Sequence, residues 1–283
     1  MNFCCLITLS HLNYIIKTFK SIYRFNNNYV LYLLIIDDHI NLPYKYSNLK
    51  INIITLNEIL NTDNNLINKI YKKYSNYTRI GNDEMRNNNN MDILRYSMKV
   101  CLIYYLLKYR NLDSVVWIDP DLYFIKNIDN IFETLKYKEV ILTPHFRNEY
   151  SENRTLLYRD GFFNVGFIGF KKNSICLDWY INQIYLTCDL IDGYFYYEQK
   201  YLDYFPILSD NIEILRSGNY NIGEWNMDTC KRKHINNKLY IEKDNVTSEA
   251  IFIHFSNHYI KNIIEKNYEL PIISTFLQDY YSL

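Results

Sequence analysis

Residues 115–124 read Val-Val-Trp-Ile-Asp-Pro-Asp-Leu-Tyr-Phe, an apolar run interrupted only by Asp119, Pro120 and Asp121. Burying an unpaired carboxylate is costly, so this acidic pair must meet water, a cationic side chain or a metal ion. Residues i and i+2 of an extended chain point to the same face, and a proline biases the residue before it towards extended backbone. The run therefore predicts a buried strand with two converging carboxylates at its end.

Divalent cations are one class of ligand that suits such a pair. Mg²⁺ and Mn²⁺ prefer oxygen ligands and commonly keep only one or two protein carboxylates, which leaves coordination positions for the phosphates of a substrate. Ligands of open α/β sheets usually bind at the carboxyl ends of strands. An Asp-x-Asp triplet is equally typical of a turn or a helix cap, so the triplet alone does not decide between metal binding and a structural role.

Apolar runs and helical spacing elsewhere in the chain predict an α/β fold. Residues 3–9 and 30–36 are apolar runs, and apolar side chains recur at helical spacing between them. This strand-helix-strand order predicts parallel strands joined by a crossover. Further strands are expected at 51–54, 115–118, 140–143, 165–170 and 250–254. Further helices are expected at 58–77, where Asn and Asp break the helix, from 92 onward, at 175–186 and at 198–204.

The overall composition disfavours several classes of protein. The 31 basic and 31 acidic side chains of the 283-residue chain cancel, and no basic stripe is present, so nucleic-acid binding is not expected. No apolar run reaches about 18 residues, so neither a transmembrane segment nor export is expected. The six cysteines lack the spacing of a zinc site or a disulfide scaffold, and they predict reduced thiols in a cytoplasmic protein.

The acidic triplet belongs to a longer series of motifs. Lys99 and the segment 114–129 are followed by the segments 142–145, 160–170, 198–203, 218–226 and 252–256. This series resembles the donor-binding core of glycosyltransferases with the GT-A fold, glycogenin and its bacterial relatives in particular. Order and spacing agree from about residue 3 to residue 261, which is most of the chain.

The resemblance implies a single Rossmann-like domain of the GT-A type with a mostly parallel central sheet. It implies a nucleotide-binding half at residues 1–125, an acceptor- and sugar-binding half at 126–262 and a C-terminal segment at 263–283. The implied reaction moves a sugar from a nucleotide-diphosphate sugar donor to a glycan, a lipid-linked acceptor or a protein. Relatives of the glycogenin type retain the anomeric configuration, so retention is expected by analogy.

The resemblance also implies a metal site. Carried over residue by residue, it makes Asp119 and Asp121 the ligands of Mn²⁺ or Mg²⁺ bridging the donor diphosphate, with His254 as a third ligand. A neutral imidazole is a chemically reasonable partner for Mn²⁺. Without the resemblance, a hydrogen-bonded histidine ending a buried strand would be the simpler interpretation of His254.

Further positions match the donor-binding site of the resembled enzymes. They are Thr8 and Ser10 after the first strand, Asp37 and Asp38 after the second, Lys99 and Lys261, and Asn164 and Asn221 in two later turns. Short polar side chains at strand ends can hydrogen-bond a base or a ribose, and plain caps and turns are a nearly equal alternative. The match is weaker near Lys261, because Asn257 stands where relatives usually have glycine. Trp225 is predicted either to stack on a sugar or to fill the core.

A group that faces the oxocarbenium-like centre is needed in addition to a metal ion that stabilises the departing diphosphate. Glu198 and Gln199 match the Asp-Gln step of the family. We therefore expect Glu198 near the anomeric carbon, as base, nucleophile or electrostatic stabiliser. Asp160 and Asp203 are the competing carboxylates for this role.

Two other functions stay open from the sequence. A nucleotidyltransferase would also need an acidic pair and a nucleotide pocket, but no Gly-rich basic signature lies near the N-terminus. A catalytically inactive protein of this fold that serves as a binding partner is the non-enzyme alternative. The aromatic segment 271–283 is expected to pack intramolecularly, with a dimer contact or a peripheral membrane contact as alternatives.

Overall fold

The computed structural model describes residues 1–37, 46–62, 65–76, 90–148, 154–188, 197–266 and 271–283. The strands are β1 (Asn2–Ile7), β2 (Val30–Ile35), β3 (Ile51–Ile54), β4 (Ser114–Ile118), β5 (Leu122–Phe124), β6 (Val140–Pro144), β7 (Phe163–Lys171), β8 (Ile212–Ile214), β9 (Lys231–Ile235), β10 (Lys238–Lys243), β11 (Val246–Glu249) and β12 (Phe252–His254). The α-helices are α1 (Leu12–Tyr23), α2 (Leu56–Leu60), α3 (Asn65–Ser75), α4 (Asn90–Lys108), α5 (Asp129–Leu135), α6 (Arg154–Asp160), α7 (Ile175–Leu186), α8 (Phe205–Leu208), α9 (Asn257–Lys266) and α10 (Pro271–Ser282).

A seven-stranded sheet forms the centre of the fold, in the order β3-β2-β1-β4-β7-β6-β8. β1 pairs in parallel with both β2 and β4, and β2 pairs in parallel with β3. β7 is antiparallel to β4 and to β6, whereas β6 and β8 are parallel. The structure thus has the α/β fold with a mostly parallel central sheet that the sequence predicts.

Successive residues of the central strands are buried on opposite faces of the sheet, as the period of two requires. Phe3 and Val116 belong to a hydrophobic cluster with side chains of α1 and α5. Cys4 and Trp117 belong to a second cluster with side chains of α4 and α7. A third cluster joins β10, α9 and α10 and includes Tyr280. The C-terminal helix α10 therefore packs intramolecularly.

The acidic motif lies where β4 ends and β5 begins. The N–H of Asp119 donates to the carbonyl of Gly166 in β7 at 2.8 Å, and the N–H of Phe255 donates to the carbonyl of Asp121 at 2.8 Å. β5 pairs antiparallel with β12, and this pairing sets His254 opposite Leu122. The turn is thus fixed on two sides, and His254 lies next to the motif.

The structure refines two predicted helices. The segment 58–77, predicted as a helix broken by Asn and Asp, is divided between α2, which ends at Leu60, and α3, which begins at Asn65. Thr55 caps α2 in a reciprocal capping box with Glu58. The segment predicted as a helix at 198–204 is a 3-10 helix over Gln199–Tyr204, and α8 begins directly after it with a proline in its first turn.

All six cysteines are buried free thiols, which agrees with the reduced thiols expected from their spacing. Burial raises the pKa of Cys176 to about 12, so this thiol stays protonated and unreactive. Across the described ranges, no helix combines the length and the apolar character that a membrane crossing requires.

Candidate active site

Two carboxylates and one imidazole converge at the carboxyl end of β4. One potential ligand atom from each of Asp119, Asp121 and His254 lies within 4.8 Å of the others. Of the side chains that the structure describes, no other histidines, cysteines or acidic residues form such a group of three. The structure thus brings together the three residues that the sequence predicts as metal ligands.

The chemistry of this cluster fits a hard divalent cation. Oδ1 of Asp121 is buried, and its close polar neighbour is Nε2 of His254 at 3.0 Å, an ion-pair contact and not a satisfied hydrogen bond. A buried carboxylate oxygen is costly unless a cation or a donor meets it. Two carboxylates and an imidazole are ligands that Mn²⁺ accepts, and Mg²⁺ binds through one or two carboxylates.

Neighbouring charges determine how the cluster is protonated. Oδ1 of Asp119 accepts a hydrogen bond from Nε1 of Trp117 at 2.7 Å and lies 3.6 Å from Nζ of Lys99. Burial raises the pKa of Asp119, but Lys99 and His254 outweigh burial and hold that pKa below its ordinary value. Burial lowers the pKa of His254, but the carboxylate of Asp121 outweighs it and the pKa is raised. Binding of a cation here would therefore compete with protonation of the imidazole.

The cluster borders two cavities. The first cavity, of about 350 Å³, is lined by residues that include Thr8, His11, Lys99 and both aspartates of the motif. The second cavity, of about 610 Å³, is lined by residues that include Asn164, Gln199, Glu224, Trp225 and His254. A cation bound by the cluster could thus contact one substrate in the first cavity and another in the second.

Of the polar residues predicted after β1 and β2, only Thr8 lines the first cavity. Oγ1 of Thr8 lies 2.9 Å from Oγ of Ser10 and 2.8 Å from Nδ1 of His11. Asp37 accepts the backbone N–H of the residue after Thr8 at 2.8 Å. Asp38 lies outside the described residues. His11 was not predicted from the sequence. The available signal was its position three residues after Thr8, which follows the end of a strand.

Lys261 does not line either cavity, in contrast to the predicted contact with the sugar nucleotide. Its side chain is 66% exposed, and its ammonium lies 4.0 Å from Glu265 on the same helix, α9. Asn257 and Ile260 are the residues of α9 that line the first cavity. The helical repeat turns the residue after Ile260 away from that cavity.

Glu198 is buried behind the cavities, where it forms an ion pair with Lys99. Oε1 of Glu198 lies 2.9 Å from Nζ of Lys99, and the Glu198 side chain is 3% exposed. Burial raises the pKa of Glu198 more than Lys99 lowers it. Glu198 lines neither cavity, whereas Gln199 lines the second. The structure therefore does not bring the predicted catalytic carboxylate to a cavity surface, and it brings the neighbouring amide there.

The two competing carboxylates are both neutralised by cations. Asp160 lines the second cavity, but its oxygens lie 2.9 Å from Arg147 and 2.6 Å from Arg159. Asp203 accepts a backbone N–H at 2.7 Å and lies 2.9 Å from Nζ of Lys200. These ion pairs and hydrogen bonds occupy oxygens of both carboxylates, which favours structural roles for both.

The residues predicted to line the sugar pocket differ in whether they reach a cavity. Asn164 and Trp225 line the second cavity, and the indole packs edge-on against His254 with ring centroids 5.0 Å apart. Asn221 is fully buried beneath His254 and lines neither cavity, so it does not face a sugar pocket. Glu224 lines the second cavity and was missed from the sequence, although it lies within the quoted segment 218–226.

The carbonyl between the two aspartates is held by two hydroxyl groups. Thr18 of α1 donates to the carbonyl of Pro120 at 2.7 Å, and Tyr280 of α10 donates to it at 3.1 Å. Thr18→Val keeps the shape of the side chain but removes one donor. We expect a loss of about 1 kcal/mol in the free energy of unfolding and a severalfold weaker Mn²⁺ affinity, measured by urea unfolding and calorimetry. Thr18→Ser keeps the donor and should match the wild type in Mn²⁺ affinity, and equal Mn²⁺ affinity in both variants would contradict this role.

His145 makes stability depend on acid pH. Burial, followed by the charge of Arg147, lowers the pKa of His145 to about 3, from an ordinary value of 6.5. Between these values the unfolded chain binds a proton that the folded protein cannot, so stability falls as pH drops below 6.5. We expect His145→Gln to reduce the slope of the free energy of unfolding against pH by about 1.4 kcal/mol per pH unit. Urea unfolding at several pH values measures this slope. Parallel slopes for the two proteins would contradict this assignment.

No family model matches the sequence. Two uncharacterized proteins of Bacillus subtilis (strain 168) are similar to it. YfnF is 30% identical over 164 residues, which cover 54% of this chain and 52% of YfnF. YfnD is 24% identical over 184 residues, which cover 62% of this chain and 56% of YfnD. The chain thus spans about half the length of the curated relatives that it matches.

Two solved structures share the fold over nearly their whole length. The galactosyltransferase LgtC, solved with donor and acceptor sugar analogues, has a TM-score of 0.62 and 12% identity, covering 100% of this chain and 96% of LgtC. Mouse xyloside xylosyltransferase 1 has a TM-score of 0.55 and 11% identity, covering 91% of this chain and 98% of the mouse protein. Identities this low establish the fold and leave substrates open. The chain has the GT-A glycosyltransferase fold.

Proposed function

We propose that this protein is a metal-dependent glycosyltransferase. It moves a sugar from a nucleotide-diphosphate sugar donor to a glycan, a lipid-linked acceptor or a protein, and it retains the anomeric configuration. The observation that carries the proposal is the cluster of Asp119, Asp121 and His254, which borders two cavities at the carboxyl end of a central strand. A transfer between two substrates needs such an arrangement, with one space for the donor and one for the acceptor.

The residues that line the two cavities support separate binding roles for the two halves of the chain. The first cavity is lined mainly from residues 6–121, and the second is lined entirely from residues 145–262. We assign the donor nucleotide to the half at 1–125 and the acceptor to the half at 126–262, with 263–283 as a C-terminal segment that supports the motif. LgtC, which shares this fold, was solved with both a donor and an acceptor analogue.

The roles of the side chains follow from their positions. Asp119, Asp121 and His254 would hold Mn²⁺ or Mg²⁺, which as a Lewis acid stabilises the charge of the departing nucleoside diphosphate. Lys99 lines the first cavity and adds a positive charge beside Asp119. Gln199 lines the second cavity, and its amide is fixed by the N–H of Val165 at 3.1 Å and by the carbonyl of Asp160 at 2.9 Å. A fixed amide can orient the reacting sugar without taking a proton.

The acceptor is proposed to bind in the second cavity. Trp225 offers an apolar face and Asn164 an amide, a combination that suits a sugar ring with hydroxyl groups. We place the protein in the cytoplasm, where nucleotide sugars would be available and where its own cysteines would stay reduced. Peripheral contact with a membrane that carries a lipid-linked acceptor is compatible with this location.

The test is release of nucleoside diphosphate from a panel of nucleotide sugars in the presence of Mn²⁺. We expect Asp121→Ala to lower the metal-dependent kcat/KM by about a hundredfold or more, because it removes a ligand of the cation. Asp210→Ala is the matched control, since Asp210 is exposed and remote from both cavities, and it should match the wild type.

Other products would contradict the proposal. Release of pyrophosphate from a nucleoside triphosphate would indicate a nucleotidyltransferase. Donor binding without turnover under any acceptor condition would indicate an inactive binding protein. For an active preparation, the anomeric configuration of the product, read by proton NMR, tests retention separately.

A further inference from the structure

The two ring nitrogens of His254 face different surroundings. Nε2 faces the carboxylates, at 3.0 Å from Oδ1 of Asp121. Nδ1 lies 3.0 Å from Oδ1 of Asn221, on the side away from the acidic cluster. A neutral imidazole carries one proton, and the hydrogen bond at one nitrogen decides which nitrogen is left with a lone pair.

A hydroxyl group fixes the orientation of the Asn221 amide. Oγ1 of Thr143 lies at the irregularity between β6 and β7, where its one hydrogen can be donated to the carbonyl of Asn164 at 3.2 Å or to that of Phe167 at 3.0 Å. Because a hydroxyl has one hydrogen, Oγ1 meets Asn221 with a lone pair, and Nδ2 of Asn221 lies 3.5 Å away as the donor. The oxygen of the amide is therefore the atom that faces His254.

We propose that Asn221 is a positioning residue that holds His254 protonated at Nδ1, so that Nε2 presents its lone pair to a cation bound between Asp119 and Asp121. This inference rests on the metal site of the proposed function. Once a cation is bound at Nε2, an acceptor oxygen at Nδ1 disfavours the opposite tautomer, because that tautomer would set two lone pairs against each other and point a proton at the cation. Hydrogen-bond partners of this kind orient metal-binding histidines and raise their basicity.

The backbone at Asn221 limits which residues can serve there. Its φ is 53°, in the left-handed region that asparagine, aspartate and glycine adopt most readily. Asn221→Gly therefore removes the acceptor without straining the turn, and Asn221→Asp keeps an acceptor oxygen in place. The two variants separate loss of the hydrogen bond from loss of the backbone conformation.

The test measures Mn²⁺ affinity by calorimetry on the full chain without any sugar nucleotide. We expect Asn221→Gly to raise the Kd for Mn²⁺ by about 10- to 100-fold, and Asn221→Asp to stay within about threefold of the wild type. Thermal unfolding in the absence of metal shows whether each variant is folded. Equal Mn²⁺ affinity in folded Asn221→Gly and in the wild type would overturn the proposal.

A second measurement needs only the wild-type protein. Long-range proton-nitrogen NMR with saturating Mg²⁺ reports which nitrogen of the His254 ring carries the proton when a cation is bound. Without a cation, Nε2 faces the carboxylate of Asp121 at 3.0 Å and would keep a proton of its own. We expect protonation at Nδ1, and protonation at Nε2 would overturn the inference even if Asn221→Gly does not fold. A wild-type protein that binds Mn²⁺ and shows this tautomer but transfers no sugar would contradict the proposed function and leave this inference standing.

Discussion

Gly166→Ala is expected to abolish Mn²⁺ binding at the acidic cluster. A Cβ atom on Gly166 would lie 2.5 Å from Cε1 of His254, 2.7 Å from Oδ1 of Asn164 and 3.0 Å from Oδ2 of Asp119. Contacts this short force at least one ligand of the cation to move, and metal affinity is steep in ligand position. We expect the Kd for Mn²⁺ to rise by about a hundredfold or more, measured by calorimetry.

Gly169→Ala is the matched control for this substitution. Gly169 lies in the same strand, β7, but a Cβ atom there would approach a methyl group of Leu135 at 3.1 Å, and a flexible leucine end can yield. We expect Mn²⁺ affinity within about twofold of the wild type, with a loss of about 1 kcal/mol in the free energy of unfolding. Equal losses of Mn²⁺ affinity in the two variants would mean that the glycines act through the stability of β7 and not through room for the cluster.

The fold was predictable where the signal is local. The apolar run that ends at Asp119 predicts β4 and the turn after it, because a short apolar run bounded by turn residues is typical of a buried strand. The small sheet of β9, β10 and β11 was not predicted. β9 and β11 are polar and mostly exposed, and the alternation in β10 is limited to the buried Leu239 and Ile241, so these sequences carry little that distinguishes them from loops. The break between α2 and α3 was predictable from the Asn and Asp residues in the segment, whereas the start of α2 at Leu56, after the capping box of Thr55, was not predicted.

The site was predictable to the extent that it depends on strand ends. Asp119 and Asp121 converge as predicted, although Pro120 and Asp121 form a turn and not extended backbone. His254 joined them only through a resemblance, because the pairing of β5 with β12 spans a long stretch of sequence. The surroundings of Glu198 and Asn221 could not be predicted. Which side chains meet them is decided by packing between elements, and no local pattern in the sequence records that Lys99 faces Glu198 or that Asn221 lies under His254.

The burial of Glu198 changes what its replacement should do. Lys99 is 5% exposed and meets two carboxylates, Glu198 at 2.9 Å and Asp119 at 3.6 Å. While Glu198 is ionised it balances the charge of Lys99, so that Asp119 keeps its negative charge for a cation. Glu198→Gln removes that balance with little change in shape, and the ammonium then competes with the cation for Asp119.

We therefore expect Glu198→Gln to weaken Mn²⁺ binding about tenfold, which is about 1.4 kcal/mol, and to lower turnover together with it. Calorimetry gives the first quantity and the nucleoside diphosphate assay the second. Glu139→Gln is the matched control, because Glu139 is also buried and accepts the N–H of Ile175 at 2.9 Å, away from both cavities. A carboxylate acting directly on the anomeric carbon would give the opposite pattern, with turnover reduced and Mn²⁺ affinity unchanged. That result would return Glu198 to the catalytic role and require its side chain to leave Lys99 when the donor binds.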